Sequence, residues 1–463
     1  MATTHIIRRY AVWKATESLW RATETVDELN EVLLLGLKAM GAPLRASEMS
    51  TRPPRKWTLQ LPDGRELCPE AEEVVIGMEF HNSTAAQDAS RAMTRHIGRS
   101  VKAGGREYLC KAIGADPGGG PAGHWCPNLA TGVTFGDRRA ARNLIGTDLL
   151  PEALASNPRV NVIIIDQGVN KDVLERSHPG SWAGGWTDGK TFPGTARPSS
   201  HGTKVAMNVL DIARQAAIYD FPIIPSPRIG DVDVFASDMN NAYNNLVLCI
   251  DHCRNQKNVP GPWVLVNAWA IYDRTSEDPK GDYTENLSCF GPNGHPLIEA
   301  VALASARHDV VFAAGNCGTH CSDKRCGKLD RGPGHSIWGA NSSPGVITAA
   351  AVTNHLTSIG HSSQGPGQPR LSFTKPDLSA PSNFHENNDR HAVNTGTSTA
   401  CALTAGVVAA LRAHFPELPP QDLKRILIEA ARPIHGQGWN SKFGHGLVNA
   451  QQAYEALRKL VVV

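Results

Sequence analysis

The chain has 463 residues, 41% of them hydrophobic and 19% charged, which is apolar enough for a sizeable core and excludes wholesale disorder. Lys and Arg number 46 against 44 Asp and Glu, a net charge of +2, so the charge balance argues for neither nucleic acid nor an anionic membrane surface as a partner. No apolar run reaches the roughly 18–20 residues of a membrane span. The best candidate, Val301 to Ala314, is broken by Arg307, His308 and Asp309. Arg8, Arg9 and Lys14 are followed by no continuous apolar stretch or small-residue cleavage site, so a cytoplasmic location is expected. The ten cysteines are then expected as free thiols or metal ligands rather than as a disulfide framework.

In chain order, Val12, Leu19, Val26, Leu29, Leu33 and Leu37 recur at three-, four- and seven-residue steps and predict a helix from Tyr10 to Met40. Trp57 to Leu61 and Arg65 to Leu67 read as short strands around a Pro62-Asp63-Gly64 turn. Val74 to Phe80 reads as a further strand, and Ala85 to Ile97 as a further helix. Residues 1–117 thus make a small α+β domain, of an inhibitory or partner-recognising kind. Gly114 to Gly123 is dense in Gly and Pro but lacks the Gly-Lys-Ser/Thr ending of a phosphate-binding loop. It reads as an exposed loop opening a linker over 118–138.

From residue 139 to 463 apolar strands alternate with helices. Val160 to Ile165, Trp263 to Val266, Val310 to Ala314 and Val346 to Val352 read as buried strands. Helical stretches near Ser237–Arg254 and Leu297–Arg307 separate them, which predicts an α/β fold with a mainly parallel sheet. Ligands of such a sheet gather at the carboxyl ends of its strands. Two strands end there in polar residues, Asp166-Gln167-Gly168 and Gly315-Asn316. His201-Gly202-Thr203 and Gly396-Thr397-Ser398 open apolar helical runs.

An Asp, a His, an Asn and a Ser are the parts of a serine hydrolase. A serine hydroxyl needs an imidazole to take its proton, and the imidazole needs a carboxylate to orient it. The oxyanion of the tetrahedral intermediate needs an amide donor. Singly, each residue has a structural reading: a turn, a core histidine, an αL position or a helix cap.

Their order and surroundings go further. Ile164-Ile165-Asp166-Gln167-Gly168-Val169 and Ser200-His201-Gly202-Thr203-Lys204-Val205-Ala206 resemble the aspartate and histidine motifs of the subtilisin-like serine proteases. Ala313-Ala314-Gly315-Asn316 and Asn394-Thr395-Gly396-Thr397-Ser398-Thr399-Ala400 are similar to that family's oxyanion and serine motifs. Ser362 to Pro366, Lys375 to Pro381 and Gly444 to Ala450 resemble its secondary signatures in the same order, over about residues 140–455. The resemblance implies a subtilisin-like three-layer α/β fold and a serine endopeptidase acting through an acyl-enzyme. Ser398 would be nucleophile, His201 general base, Asp166 its orienting carboxylate and Asn316 an oxyanion donor. Trp269, Ala270 and Gly315 would border the substrate pocket, with Trp269 equally readable as core.

The resemblance also implies an extended peptide or protein substrate, and we expect limited processing of a protein partner inside the cell. The alternative is a catalytically silent binding protein that kept the fold. Gln167, Lys204, Ala270 and Ala402 depart from the family's usual residues, which bears on specificity and rate. No cofactor is required for this chemistry. Family members bind calcium, but no carboxylate cluster maps here. Cys317, His320, Cys321 and Cys326, with Cys289 or His335, offer zinc ligands; free thiols or a redox-sensitive pair is the expected state.

Overall fold

The structure is a computed structural model and describes residues 6–14, 25–69, 71, 73–123, 136–153, 157–224, 234–256, 259–273, 295–386 and 389–461. The N-terminal part runs β1 (Ile7–Lys14), α1 (Val26–Ala39), β2 (Met49–Arg52), β3 (Thr58–Gln60), β4 (Glu66–Leu67), β5 (Glu73–Phe80), α2 (Ser83–His96), β6 (Ser100–Ala103), β7 (Arg106–Ala115) and β8 (Gly118–Pro121). Five of these strands form an antiparallel sheet ordered β2-β5-β1-β7-β6. Alternation sorts its side chains: Ala11, Trp13, Ile76 and Met78 pack with Leu29, Leu33 and Leu37 of α1, while Tyr10, Val12 and Val75 turn to the other face.

The expected helix over Tyr10 to Met40 therefore needs correcting. Its first residues are strand, and residues 15–24 lie outside the described ones. The helix starts after Thr25, whose side chain accepts from the Glu28 amide in a capping box. Tyr10, Val12 and Trp13 favour strand, and the match of Val12 to the helical period is fortuitous.

The remainder runs α3 (Arg138–Leu144), β9 (Asn161–Ile165), α4 (Lys171–Ser177), β10 (Trp182–Thr187), α5 (His201–Leu210), β11 (Ala217–Phe221), β12 (Val234–Phe235), α6 (Ala236–Asn255), β13 (Trp263–Asn267) and β14 (Trp269–Asp273). It continues through α7 (Pro296–Ser305), β15 (Asp309–Ala313), β16 (Ile347–Val352), β17 (Leu378–Pro381), β18 (Phe384–Glu386), β19 (Asp389–Asn394), α8 (Thr397–His414), α9 (Pro420–Glu429) and α10 (Ala450–Val461).

Seven strands pair in parallel in the order β17-β16-β15-β13-β9-β11-β10. The central strands are apolar on both faces. Val162 and Ile164 of β9 enter the core beneath α5 and α8, whereas Ile163 and Ile165 enter the one beneath α6 and α7. Helix α8 is buried from Thr397 to Arg412 on every side, as an all-round apolar helix must be. This is the subtilisin-like three-layer α/β fold.

Two features depart from the expected domain organisation. The β3–β4 hairpin pairs antiparallel with β10 and extends the large sheet, although it lies within residues 1–117. Gly118–Pro121 is not a linker but strand β8, held antiparallel between β12 and β14. Residues 124–135 of the expected linker lie outside the described ones.

The outer face of the small sheet rests on α6. Asn241 accepts from the Val75 amide at 3.1 Å and donates to the Val75 carbonyl at 2.8 Å. Fully buried Asp116 accepts from the amide of Ser237 at 2.9 Å and from its hydroxyl at 2.7 Å, at the start of α6, and pairs with Arg52. Tyr10 packs on His295, the N-cap of α7, with ring centroids 4.3 Å apart.

Burial pushes His295 down from 6.5 to about 3. The native state thus binds fewer protons than the unfolded state between those values, so this contribution to stability is complete above pH 6.5 and is lost as pH falls towards 3. In a Ser398→Ala background, denaturant unfolding between pH 7 and 4 should show that loss, by up to about 1.4 kcal/mol per pH unit. His295→Asn, which still caps α7, should flatten the dependence.

Candidate active site

Asp166 follows the carboxyl end of β9, and Asn316 lies just beyond β15. His201 opens α5, and Ser398 is the second residue of α8. Ser200 caps α5 by accepting from the Thr203 amide at 3.2 Å, and its hydroxyl donates to the Gly168 carbonyl at 2.8 Å. The helix start is thereby tied to the loop that carries Asp166. Gly202 makes the approach feasible, since a Cβ there would lie 2.6 Å from the Gly168 carbonyl oxygen.

His201 Nδ1 lies 2.8 and 2.9 Å from the two carboxylate oxygens of Asp166, both residues being buried. Behind them Asp220 accepts from the amides of Val169 and Gly194 at 3.0 and 2.9 Å. Burial still pushes its carboxyl up to about 7. Ser398 Oγ donates to the Thr395 carbonyl at 3.3 Å, and His201 Nε2 has no hydrogen-bond partner among the described residues. Both side chains line one cavity of about 240 Å³, together with Lys204, Asn208 and Asn394. A larger cavity of about 760 Å³ lies at the opposite ends of the strands, beside Val160 and Ala216, and contains none of these groups.

Asn316 is fully buried and held so that its donor faces Ala122. Gly315, at φ +104°, makes the turn out of β15. The side-chain oxygen of Asn316 accepts from both the amide and the hydroxyl of Thr397 at 3.0 Å, which fixes the assignment of the amide. Its Nδ2 then donates at 2.6 Å to the carbonyl oxygen of Ala122, and the Ser398 amide donates to the same oxygen at 3.3 Å.

Ala122 is thus seated with its carbonyl between two donors. The strand before it runs antiparallel to β14, with Pro121 opposite Trp269 and Gly120 opposite Ala270. The Ala122 amide donates to the Ala268 carbonyl at 2.7 Å. The expected exposed loop is a buried strand because β12 and β14 supply partners for its main chain.

Of the expected pocket residues, Trp269 stands opposite Pro121, but its carbonyl accepts from buried Asn341 at 3.1 Å. The Trp269 side chain is core, edge-on to Phe312 at 5.1 Å. Ala270 clusters with Tyr272, Cys317 and Cys326, and a Cβ on Gly315 would lie 3.4 Å from that of Ala270. Sequence reasoning missed Ala122, Asp220, Tyr272 and Arg325.

Of the expected alternatives, free thiols or a redox-sensitive pair, the free thiols are not found: Cys317 and Cys326 are joined in a disulfide, and Cys321 is also disulfide-bonded. The loop after Asn316 folds back and brings the Cα atoms of Cys317 and Cys326 within 5.7 Å, a separation that residue spacing does not reveal. All three of these cysteines, which the zinc alternative needs as thiolates, are thereby consumed, and Cys289 lies outside the described residues. Among the described residues, no three His, Cys, Asp or Glu side chains converge on a common point.

Comparison with known proteins agrees with the geometry: the subtilase family profile matches residues 157–446. The chain belongs to the subtilase family. A subtilisin-like protease of Arabidopsis thaliana is 26% identical over 193 residues, covering 37% of this chain and 25% of that protein. One from Coccidioides posadasii is 26% identical over 175 residues, covering 37% and 40%. The chain therefore spans well under half the length of these relatives. The crystal structure of fervidolysin from Fervidobacterium pennivorans, a keratinolytic enzyme related to subtilisin, aligns with 98% of this chain and 61% of that one, at 16% identity and a TM-score of 0.48.

The pinning of Asn316 is testable. Thr397→Val keeps the side-chain volume but removes one of the two donors to the Asn316 oxygen. It should lower kcat on a peptide substrate roughly 2–10-fold. Asn316→Ala should cost about 10²–10³.

Proposed function

We propose that this chain is a serine endopeptidase working through an acyl-enzyme on Ser398, and that its first substrate is its own Ala122–Gly123 bond. The Ala122 carbonyl, held between the Asn316 amide and the Ser398 N–H, carries this reading. Donors converging on one carbonyl oxygen beside a serine hydroxyl are the arrangement that stabilises an acyl-transfer transition state.

Ser398 Oγ turns from the Thr395 carbonyl and attacks the Ala122 carbonyl carbon while His201 Nε2 takes its proton. The electron pair of the C=O bond moves onto oxygen, where the two donors meet it. Asp166 accepts from His201 Nδ1 through both oxygens and stabilises the imidazolium. Collapse breaks the bond to the Gly123 nitrogen, which leaves with the proton from His201. A water, deprotonated by His201, then attacks the ester, freeing the Ala122 carboxylate and Ser398.

No metal enters these steps. A cleft filled by the chain's own segment supports limited processing of a protein partner over bulk digestion, with the N-terminal unit as restraint. The bonded state of Cys317, Cys321 and Cys326 favours an oxidising compartment over the expected cytoplasm.

The test is labelling by a fluorophosphonate, with intact-mass analysis of wild type and Ser398→Ala. Labelling should vanish in the variant, and wild type alone should yield fragments divided between residues 122 and 123. No labelling of a folded wild type, in full-length chain or after removal of residues 1–122, would favour the binding protein.

A further inference from the structure

The carbonyl of Pro121, one residue before the bond placed for cleavage, is met by two side chains. The Tyr272 hydroxyl donates to it at 2.9 Å and Arg325 Nη2 at 3.0 Å. Proline has no N–H, so this carbonyl is the only main-chain hydrogen-bonding group the residue offers.

Both donors are fixed in advance. Tyr272 is the extra residue of a bulge in β14: Ile271 lies opposite Gly119 and Asp273 opposite Gly118, with Tyr272 between them. A bulge re-aims a side chain, and here the ring turns into the cleft wall. Arg325 is almost fully buried, stacks over the Tyr272 ring at 4.0 Å, and donates to Asp323 through Nε at 3.0 Å and Nη2 at 2.8 Å. The loop bearing both charges is held by the Cys317–Cys326 disulfide and by the Gly327 amide donating to the Tyr272 carbonyl at 2.9 Å. Asp323 neutralises this buried guanidinium and takes its Nε and one Nη2 hydrogen, which leaves the second Nη2 hydrogen for the Pro121 carbonyl.

We propose that Tyr272 and Arg325 form a clamp for substrate, binding the carbonyl of the residue that precedes the acyl-donating residue. The clamp rests on the endopeptidase reading above. It holds that residue by its carbonyl alone, so it admits proline there, and the substrate class is extended Gly- and Pro-rich segments ending in a small residue. Ala122 at the acyl position is completely buried, and a Cβ on Gly119 would come within 3.2 Å of the Ala270 carbonyl oxygen and of Met239 Cε.

The test pairs a change in the enzyme with one in the substrate. A quenched fluorescent peptide containing Gly-Gly-Gly-Pro-Ala-Gly is compared with an analogue whose Pro–Ala amide is a trans-alkene. The enzyme is the full-length protein held until its intact mass is constant. Tyr272→Phe keeps the ring under Arg325 and should lower kcat/KM on the amide peptide about three- to tenfold. On the alkene analogue the wild-type-to-variant ratio should fall to within about twofold, because the lost partner is already absent. Arg325→Lys, which keeps the charge but loses the fork, should show the same pattern.

An equal loss on both peptides would overturn the clamp, because Tyr272 would then be acting through something other than the Pro121 carbonyl. Failure of wild type to cleave the amide peptide would overturn it too. Fluorophosphonate labelling of the same samples separates that failure from failure of the endopeptidase reading, in which Ser398 itself would not label.

Discussion

The Asn316 side chain is the junction on which the cleft depends. Its oxygen is bonded by the first residue of α8, its nitrogen by the N-terminal segment, and its backbone continues β15. A buried amide with both ends satisfied has one orientation, and a change in any of three distant stretches would disturb it. Gly315 before it and Gly396 before α8 both have positive φ, so two turns must be made at glycine for the donors to meet. The large apolar sheet serves chiefly to hold β9 and β15 rigid, so that Asp166 and Asn316 emerge at fixed points.

Sequence showed the central sheet well because burial on both faces leaves a composition signal. Every residue of β9 from Val162 to Ile165 is β-branched, and each enters one of two cores. The polar residues ending those strands were visible for the same reason: they interrupt an apolar run. The candidate site was legible as residue types in order. Its geometry was not, since nothing in Thr397 announces that it bonds the oxygen of Asn316.

The misreadings have physical causes. Residues 114–123 read as loop because Gly and Pro disfavour autonomous structure, yet a strand that borrows hydrogen bonds from β12 and β14 needs no side-chain pattern. The segment before Lys14 read as helix because Val12 fell in step with later leucines, while the pairing with β5 and β7 that makes it strand is non-local. Tyr272 and Arg325 were invisible because their roles depend on a bulge and on a loop closed by a disulfide. Residue spacing reports neither.

The smallness of the segment in the cleft has a further consequence. Glycines and an alanine offer little apolar surface, so β8 is held almost wholly by main-chain hydrogen bonds, each of which replaces one to water and gains little net. Such a segment would bind weakly by itself. It is seated because the sheet before it docks on α6 through Asn241 and Asp116, which raises its effective concentration at the cleft far above that of a free peptide. Docking and cleft are therefore two halves of one recognition event. On the proposed reading, a protein substrate arriving from solution with the same small residues at the bond would have to bring its own surface for α6 or gain enough from the cleft contacts alone. Removing the N-terminal unit would then uncover both surfaces at once.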